Sequence, residues 1–221
     1  MIPKALLIMA KRPFPGKTKT RLTPPFSAAE AAELYACFLR DTLDLARAVP
    51  DVIPFVAYSP PDEETTDDFR KLAPDFNLIP QTGNTLGERL DTVLSHCLYN
   101  GYTQVAAMNS DSPTLPAAYL TKAFTHLDDP ATDVVLGPCE DGGYYLIGCK
   151  RPISRLVCEV QMSTAHVLQD TLTIAQAEKL RVSLLPAWYD VDEVSELHRL
   201  RTELQTRPET ARHTRCFLHN K

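Results

Sequence analysis

The chain has 221 residues, 44% hydrophobic and 23% charged, a composition typical of a globular protein and not of a disordered or fibrous one. Residues 5–10, the longest apolar run near the N-terminus, are far fewer than the roughly 20 that cross a bilayer. The six cysteines form no CxxC pair, which argues against a disulfide framework or a zinc ribbon. We therefore expect one cytoplasmic domain over residues 1–207, without a membrane span, and a loose polar tail over residues 208–221.

The net charge of −5 is unevenly distributed. The first 29 residues contain six basic side chains and no acidic one, so the rest of the chain carries −11. A nucleic-acid groove needs a broad basic face, which an acidic body does not offer. The sequence therefore predicts no nucleic-acid partner and favours one small polyanion bound at a compact basic loop.

The predicted elements alternate between strand and helix. Apolar runs predict strands at residues 4–10, 52–59, 76–80, 102–108, 133–137, 144–149 and 182–185. Helices are predicted from residue 27 to about 48, from about 63, from 85 to near 100–101, from about 116 to 127 and from 163 or 164 to about 180. A last helix is predicted to open at 188–192 and to end before 208. This alternation indicates an α/β fold, a doubly wound and mostly parallel sheet with helices on both faces.

Side chains that cap helices mark three of the predicted starts. Ser27 with Glu30 and Thr85 with Glu88 match the capping-box pattern, in which each residue bonds the backbone of the other. A hydroxyl at residue 163 or 164 is predicted to cap a third helix.

Ligands of doubly wound sheets bind outside the carboxyl ends of the strands, and the loop after the first strand is basic. Its sequence G-K-T at residues 16–18 resembles the end of a P-loop, but the glycine required five positions earlier is missing and two prolines replace the following helix. We interpret the loop as a di- or triphosphate site; the alternative is a solvated basic loop. Its candidate nucleotide-binding and catalytic residues are Lys11, Arg12, Gly16, Lys17, Lys19 and Arg21.

Two acidic segments follow other strands. Asp111 comes directly after the strand at 102–108, where one carboxylate suits Mg²⁺ or Mn²⁺; the alternative is a turn or helix cap. Asp190 and Asp192 are two apart, so an extended backbone places both on one side. A second metal ligand is the functional interpretation, and a cap on the last helix competes for the same Asp192 oxygens.

Two weaker segments contain glycines. Gly83 and Gly87, after the third strand, are candidates to surround a base and ribose. A second group is a candidate substrate-binding turn, consisting of Glu140, Asp141, Gly142 and Gly143. Tight turns explain both segments nearly as well.

Taken in order, several motifs resemble one bacterial family. They are A-K-R-P-F-P-G at 10–16, K-T-R-L at 19–22, L-G-E-R at 86–89, D-S-P at 111–113, G-P at 137–138, E-D-G-G-Y-Y-L at 140–146 and W-Y-D-V-D at 188–192. The set is similar to a glycosyltransferase-like family of nucleotide-diphospho-sugar transferase fold, associated with radical-SAM and selenium genes and formerly a domain of unknown function. More distantly, it resembles the guanylyltransferases for phospholactate and molybdenum cofactor.

The resemblance implies a glycosyltransferase A-type fold, a nucleotide held by the first loop and a divalent metal on Asp111. It implies a second ligand within residues 190–192, for which we favour Asp192 over Asp190. We expect a metal-dependent transferase that uses Lys19, Arg21 and Asp111 in catalysis, with Mg²⁺ or Mn²⁺ as cofactor.

Two questions about the activity stay open. The donor is a nucleoside triphosphate or a nucleotide-sugar, and the acceptor is an unidentified small molecule. The basic loop favours nucleotidyl transfer with pyrophosphate leaving, whereas the resemblance favours glycosyl transfer. The alternative is a non-catalytic nucleotide-sensing or partner-binding module on the same fold.

Overall fold

The computed structural model describes residues 3–221. The strands are β1 (Lys4–Lys11), β2 (Ile53–Ser59), β3 (Asn77–Pro80), β4 (Gln104–Met108), β5 (Val134–Pro138), β6 (Tyr144–Cys149) and β7 (Val182–Leu184). The helices are α1 (Ala28–Arg47), α2 (Glu63–Leu72), α3 (Leu86–Tyr99), α4 (Ala117–Asp128), α5 (Ser154–Cys158), α6 (Val167–Ala177), α7 (Val194–Thr206) and α8 (Arg212–His219). A 3₁₀ turn (Thr20–Leu22) lies between β1 and α1.

The strands form one sheet in the order β3-β2-β1-β4-β6-β5-β7. All neighbouring strands pair in parallel except β6, which is antiparallel to both β4 and β5. The predicted mostly parallel α/β fold is therefore confirmed. The direction in which the chain adds strands reverses between β1 and β4, and ligands of doubly wound sheets bind at such a position.

Both faces of the sheet are buried, which explains its nearly continuous apolar strands. Within β1, Leu6 and Ile8 pack with α1, α2 and α4 on one face. Ala5 and Leu7 point the opposite way and pack with α3, α5 and α6. Among residues 3–221, no helix has both the length and the apolar character needed to cross a lipid bilayer.

The capping predictions are only partly correct. Ser27 and Glu30 form the complete capping box at the start of α1. Thr85 accepts the N–H of Glu88 at the start of α3, but the Glu88 carboxylate accepts the N–H of Asn84 instead of that of Thr85.

The predicted cap at residue 163 or 164 is wrong. Helix α6 begins later, at Val167, and His166 precedes it without a side-chain cap. The N–H of Leu168, in the first turn, donates instead to the carbonyl oxygen of Gly142 at 2.9 Å. A tertiary contact with the turn between β5 and β6 therefore satisfies a first-turn N–H that a capping side chain was predicted to bind.

The expected loose tail is instead ordered as α8, which packs on α1. Both carboxylate oxygens of Asp41 accept backbone N–H groups at the start of α8, from His213 and Thr214, at 2.9 Å each. Leu218 is buried in a third apolar cluster that joins α1, α7 and α8. The polar composition of the tail was misleading because the cap comes from a distant segment.

Candidate functional site

A cleft of about 660 Å³ opens at the carboxyl ends of β1 and β4, where the strand order reverses. The loops after β1, β3 and β4, the turn between β5 and β6, and residues 162–165 contribute its walls. The predicted site residues that line it are Lys11, Lys17, Lys19, Arg21, Asp111, Asp141, Gly143, Asp190 and Asp192. The fold therefore brings most of the predicted residues together.

The Lys19 side chain lies against two carboxylates. Its Nζ is 2.5 Å from Asp111 Oδ1 and 2.7 Å from Asp192 Oδ1, and only 3% of the side chain is exposed. Burial lowers the pKa of Lys19, but the charges and hydrogen bonds of the two aspartates together outweigh burial and raise this pKa above its ordinary value. Lys19, predicted at the phosphates, is thus an ion-pair partner of the predicted metal ligands.

Backbone contacts position these two aspartates. The carbonyl oxygen of Asp111 accepts the N–H of Val191 at 2.9 Å, which ties the loop after β4 to the segment at 190–192. Val191 is fully buried, and its neighbours Asp190 and Asp192 both line the cleft. The alternative role of Asp192 as a helix cap is wrong, because Glu193 is the N-cap of α7 and forms a capping box with Glu196.

A second acidic group adjoins the first. Ligand atoms of Cys139, Asp141 and Asp190 lie within 4.8 Å of one another. Burial raises the pKa of Asp190 to about 6, and the charges of Asp192 and Asp141 add to this shift. Several carboxylates therefore lie close together in this wall of the cleft, and a bound cation would reduce the repulsion between them.

The basic residues divide into those that line the cleft and one that does not. Arg21 is 71% exposed and 3.5 Å from Glu193. Arg12 pairs with Glu64 and Asp68 of α2 at 2.6 and 2.8 Å and is not among the lining residues. Its position beside an acidic helix explains why Arg12 does not join the predicted group.

Five more predicted residues also lie outside the lining: Gly16, Gly83, Gly87, Glu140 and Gly142. A Cβ on Gly87 would come within 2.0 Å of the Val157 carbonyl oxygen, so this glycine allows α3 to pack against α5. Glu140 forms a two-pronged ion pair with Arg199 of α7, at 2.5 and 3.0 Å.

The remaining predicted glycines shape turns. A Cβ on Gly142 would meet the Ala165 carbonyl oxygen at 2.0 Å. Because glycine has no Cβ, residues 162–165 can pack against this turn and form part of the cleft wall. Gly16 has φ +73°, and a Cβ built on it would meet no atom within 4 Å. The carbonyl oxygen of Gly83 accepts a hydrogen bond from Arg89 Nε at 3.0 Å, and Arg89 does line the cleft.

Sequence reasoning missed residues that hold the loops in place. The hydroxyl of Tyr35 accepts the N–H of Lys11 at 3.0 Å and bonds Ser110 Oγ at 2.9 Å, while Ser110 Oγ donates to the Met9 carbonyl oxygen. Burial raises the pKa of Tyr35 to about 12. Gln81 Nε2 donates to backbone carbonyl oxygens of β1 and β2. No spacing signal marks these residues, because their partners are distant in sequence.

Comparisons with known proteins agree with this architecture. The family described as "Uncharacterized protein conserved in bacteria (DUF2064)" matches residues 42–164. The crystal structure of a candidate nucleotide-diphospho-sugar transferase from Desulfovibrio desulfuricans G20 is 32% identical, with a TM-score of 0.91, covering 100% of this chain and 95% of that chain. No curated protein matches the sequence.

More distant solved structures share the fold. A CMP:2-keto-3-deoxy-manno-octonic acid synthetase complexed with CTP is 13% identical, with a TM-score of 0.60, over 92% of this chain and 99% of that chain. A 4-diphosphocytidyl-2C-methyl-D-erythritol synthase from Anaerococcus prevotii DSM 20548 is 11% identical, with a TM-score of 0.59, over 91% and 96%. The sequence motifs and the sheet order are consistent with the family match. The chain belongs to the DUF2064 family and has a nucleotide-diphospho-sugar transferase fold.

Proposed function

We propose that this protein is a divalent-cation-dependent transferase that acts on a nucleoside triphosphate or a nucleotide-sugar. One observation carries the proposal: basic side chains and converging carboxylates line the same cleft at the point where the strand order reverses. Lys11, Lys17 and Arg21 suit phosphate oxygens, and Asp111 with Asp192 suits a cation bound to those phosphates. The similarity to a candidate nucleotide-diphospho-sugar transferase supports this assignment.

The donor set fits Mg²⁺ or Mn²⁺. Asp111 and Asp192 each place an oxygen within 2.7 Å of one atom, Lys19 Nζ, so the two carboxylates converge on a single positive charge. Carboxylate oxygens are the ligands that these hard cations prefer, with phosphates and water filling the other positions. Asp190 is the alternative second ligand. When bound, such a cation neutralises charge on the phosphates.

The chain's own residues position the donor. Lys11, Lys17 and Arg21 bind its phosphates and offset the charge that develops on the leaving group. The hydrogen bonds of Tyr35 hold the basic loop against the loop of Asp111. Such transfers depend mainly on positioning and charge neutralisation, so no activated serine or cysteine is required.

The basic wall favours attack by the acceptor on the α-phosphate, with pyrophosphate leaving. Glycosyl transfer is the second candidate, and the 32% identical structure described as a candidate nucleotide-diphospho-sugar transferase favours it. The products distinguish the two: nucleotidyl transfer releases pyrophosphate, whereas glycosyl transfer releases a nucleotide.

The first test is a thermal-shift screen of nucleoside triphosphates and nucleotide-sugars, each with and without Mg²⁺ or Mn²⁺. We expect a metal-dependent rise in Tm that Asp111→Asn abolishes. The matched control Asp67→Asn changes an exposed carboxylate of α2 and should keep the full rise. Variants Asp190→Asn and Asp192→Asn identify the second ligand.

The proposal fails if none of these nucleotides raises the Tm of the wild-type protein with either metal. A nucleotide that binds without releasing pyrophosphate or nucleotide in the presence of candidate acceptors would favour the non-catalytic alternative.

A further inference from the structure

We propose that Lys19 is a tethered counter-ion for the Asp111–Asp192 pair. Its ammonium offsets part of the charge of both carboxylates; it must leave them before a divalent cation binds there, and it then becomes available to the donor phosphates. The inference rests on the proposed function, because it concerns the same cation and the same phosphates.

The geometry separates Lys19 from the other basic residues of the loop. Its ammonium contacts both carboxylates and is almost fully buried, whereas Lys17 is exposed. The Lys19 backbone has φ 49° and starts the 3₁₀ turn, whose Leu22 is fully buried. The backbone of Lys19 is thereby held in place, while its four-carbon side chain keeps the freedom to redirect the ammonium.

The ammonium and a divalent cation compete for the same oxygens. A cation bound by both Asp111 Oδ1 and Asp192 Oδ1 would take the space between these oxygens that the ammonium fills, so the ammonium must move for such a cation to enter. The positive charges of the ammonium and of a metal ion at such a separation also repel each other. The structure thus predicts weak binding of the cation by itself.

Donor phosphates change this balance because they offer the displaced ammonium a new anionic partner. Tyr35 and Phe38 lie beneath Nζ, with ring centroids at 6.0 and 5.5 Å, and provide no alternative negative charge. Lys19 therefore exchanges one anionic partner for another when cation and nucleotide enter together, and each should strengthen binding of the other.

The test measures Mn²⁺ binding without nucleotide, by calorimetry, for the wild type and Lys19→Met, after circular dichroism has established that the variant is folded. We expect Lys19→Met to bind Mn²⁺ at least about tenfold more tightly. Lys19→Arg, which keeps the charge, should bind like the wild type. The control Lys71→Met removes an exposed lysine of α2 that does not line the cleft, and it should leave Mn²⁺ affinity unchanged within about twofold.

A second measurement needs no variant. An amine-acetylating reagent, read out by mass spectrometry, should label Lys19 slowly without metal and several-fold faster at saturating Mg²⁺, while labelling of Lys17 stays constant. Equal Mn²⁺ affinity in the wild type and Lys19→Met, or Lys19 labelling that does not respond to Mg²⁺, would overturn the counter-ion role.

The two proposals can fail separately. If Mn²⁺ binds in a manner that requires Asp111 but is indifferent to Lys19→Met, the proposed function stands and the counter-ion role falls. If Mn²⁺ binds neither the wild type nor Lys19→Met, with or without any nucleotide of the thermal-shift screen, the metal-dependent function is wrong and the counter-ion role fails with it.

Discussion

The hydroxyl groups of Tyr35 and Ser110 form a hydrogen bond of 2.9 Å that joins the middle of α1 to the loop after β4. The Tyr35 oxygen also accepts the N–H of Lys11, so one side chain links the basic loop with the loop that presents Asp111. The relative position of the two walls of the cleft therefore depends on the packing of α1 against the sheet.

Tyr35→Phe should lower the free energy of unfolding by about 1–2 kcal/mol, because it leaves the Lys11 N–H without its acceptor and removes one partner of Ser110. Urea denaturation measures this change. Tyr99→Phe, at a side chain that is 79% exposed, is the control and should match the wild type. A Tyr35→Phe variant as stable as Tyr99→Phe would show that the buried hydroxyl contributes nothing.

Arg89→Ala should weaken binding of the nucleotide found in the thermal-shift screen by about tenfold, with little loss of stability. Its Nε is anchored by the Gly83 carbonyl oxygen, and its side chain lines the cleft without an ion-pair partner among residues 3–221. Calorimetric titration provides the affinity. The control Arg70→Ala removes an arginine of α2 that pairs with exposed Asp67, and its affinity should equal that of the wild type.

Gly87→Ala should destabilise the protein by about 1–3 kcal/mol, because the added methyl group would lie within 2.0 Å of the Val157 carbonyl oxygen and push α3 away from α5. Thermal and urea unfolding both report the change. Gly16→Ala is the comparison: its Cβ meets nothing within 4 Å, so the cost is limited to the positive φ. A smaller loss at Gly87 than at Gly16 would contradict the packing argument.

The Asp133–Arg181 ion pair should make stability depend on acidic pH. Hydrogen bonds from the Arg181 side chain, followed by the one from its backbone N–H, lower the pKa of Asp133 to about 2. A lowered folded-state pKa stabilises the protein above the ordinary pKa near 3.8, and this contribution is lost as pH falls toward 2.

We therefore expect Asp133→Asn to cost about 1 kcal/mol near neutral pH, a value reduced by solvent screening of the partly exposed arginine. The difference from the wild type should shrink when urea unfolding is repeated at about pH 3. A difference that is constant between the two pH values would exclude the proposed linkage.

Local sequence patterns predicted most helices and strands because the interactions that form these elements act between residues close in sequence. The capping box of Ser27 and Glu30 spans one helical turn, and the apolar runs of β1 and β4 reflect burial on both faces. The loops after these strands carried the candidate residues, since the carboxyl ends of parallel strands share one edge of the sheet.

Tertiary structure decided which charges meet. A charged side chain in a loop can pair with a segment that is distant in sequence. The spacing of residues along the chain does not predict which segment that is. Arg12 pairs with α2, Lys19 with Asp111 and Asp192, and the start of α8 with Asp41.

The sequence by itself determined that basic and acidic loops would lie at one edge of an α/β sheet, because strand periodicity and helix caps are short-range. Only the folded chain decided that Lys19 stands between the two carboxylates, because burial and Coulomb attraction act between segments that only folding brings together.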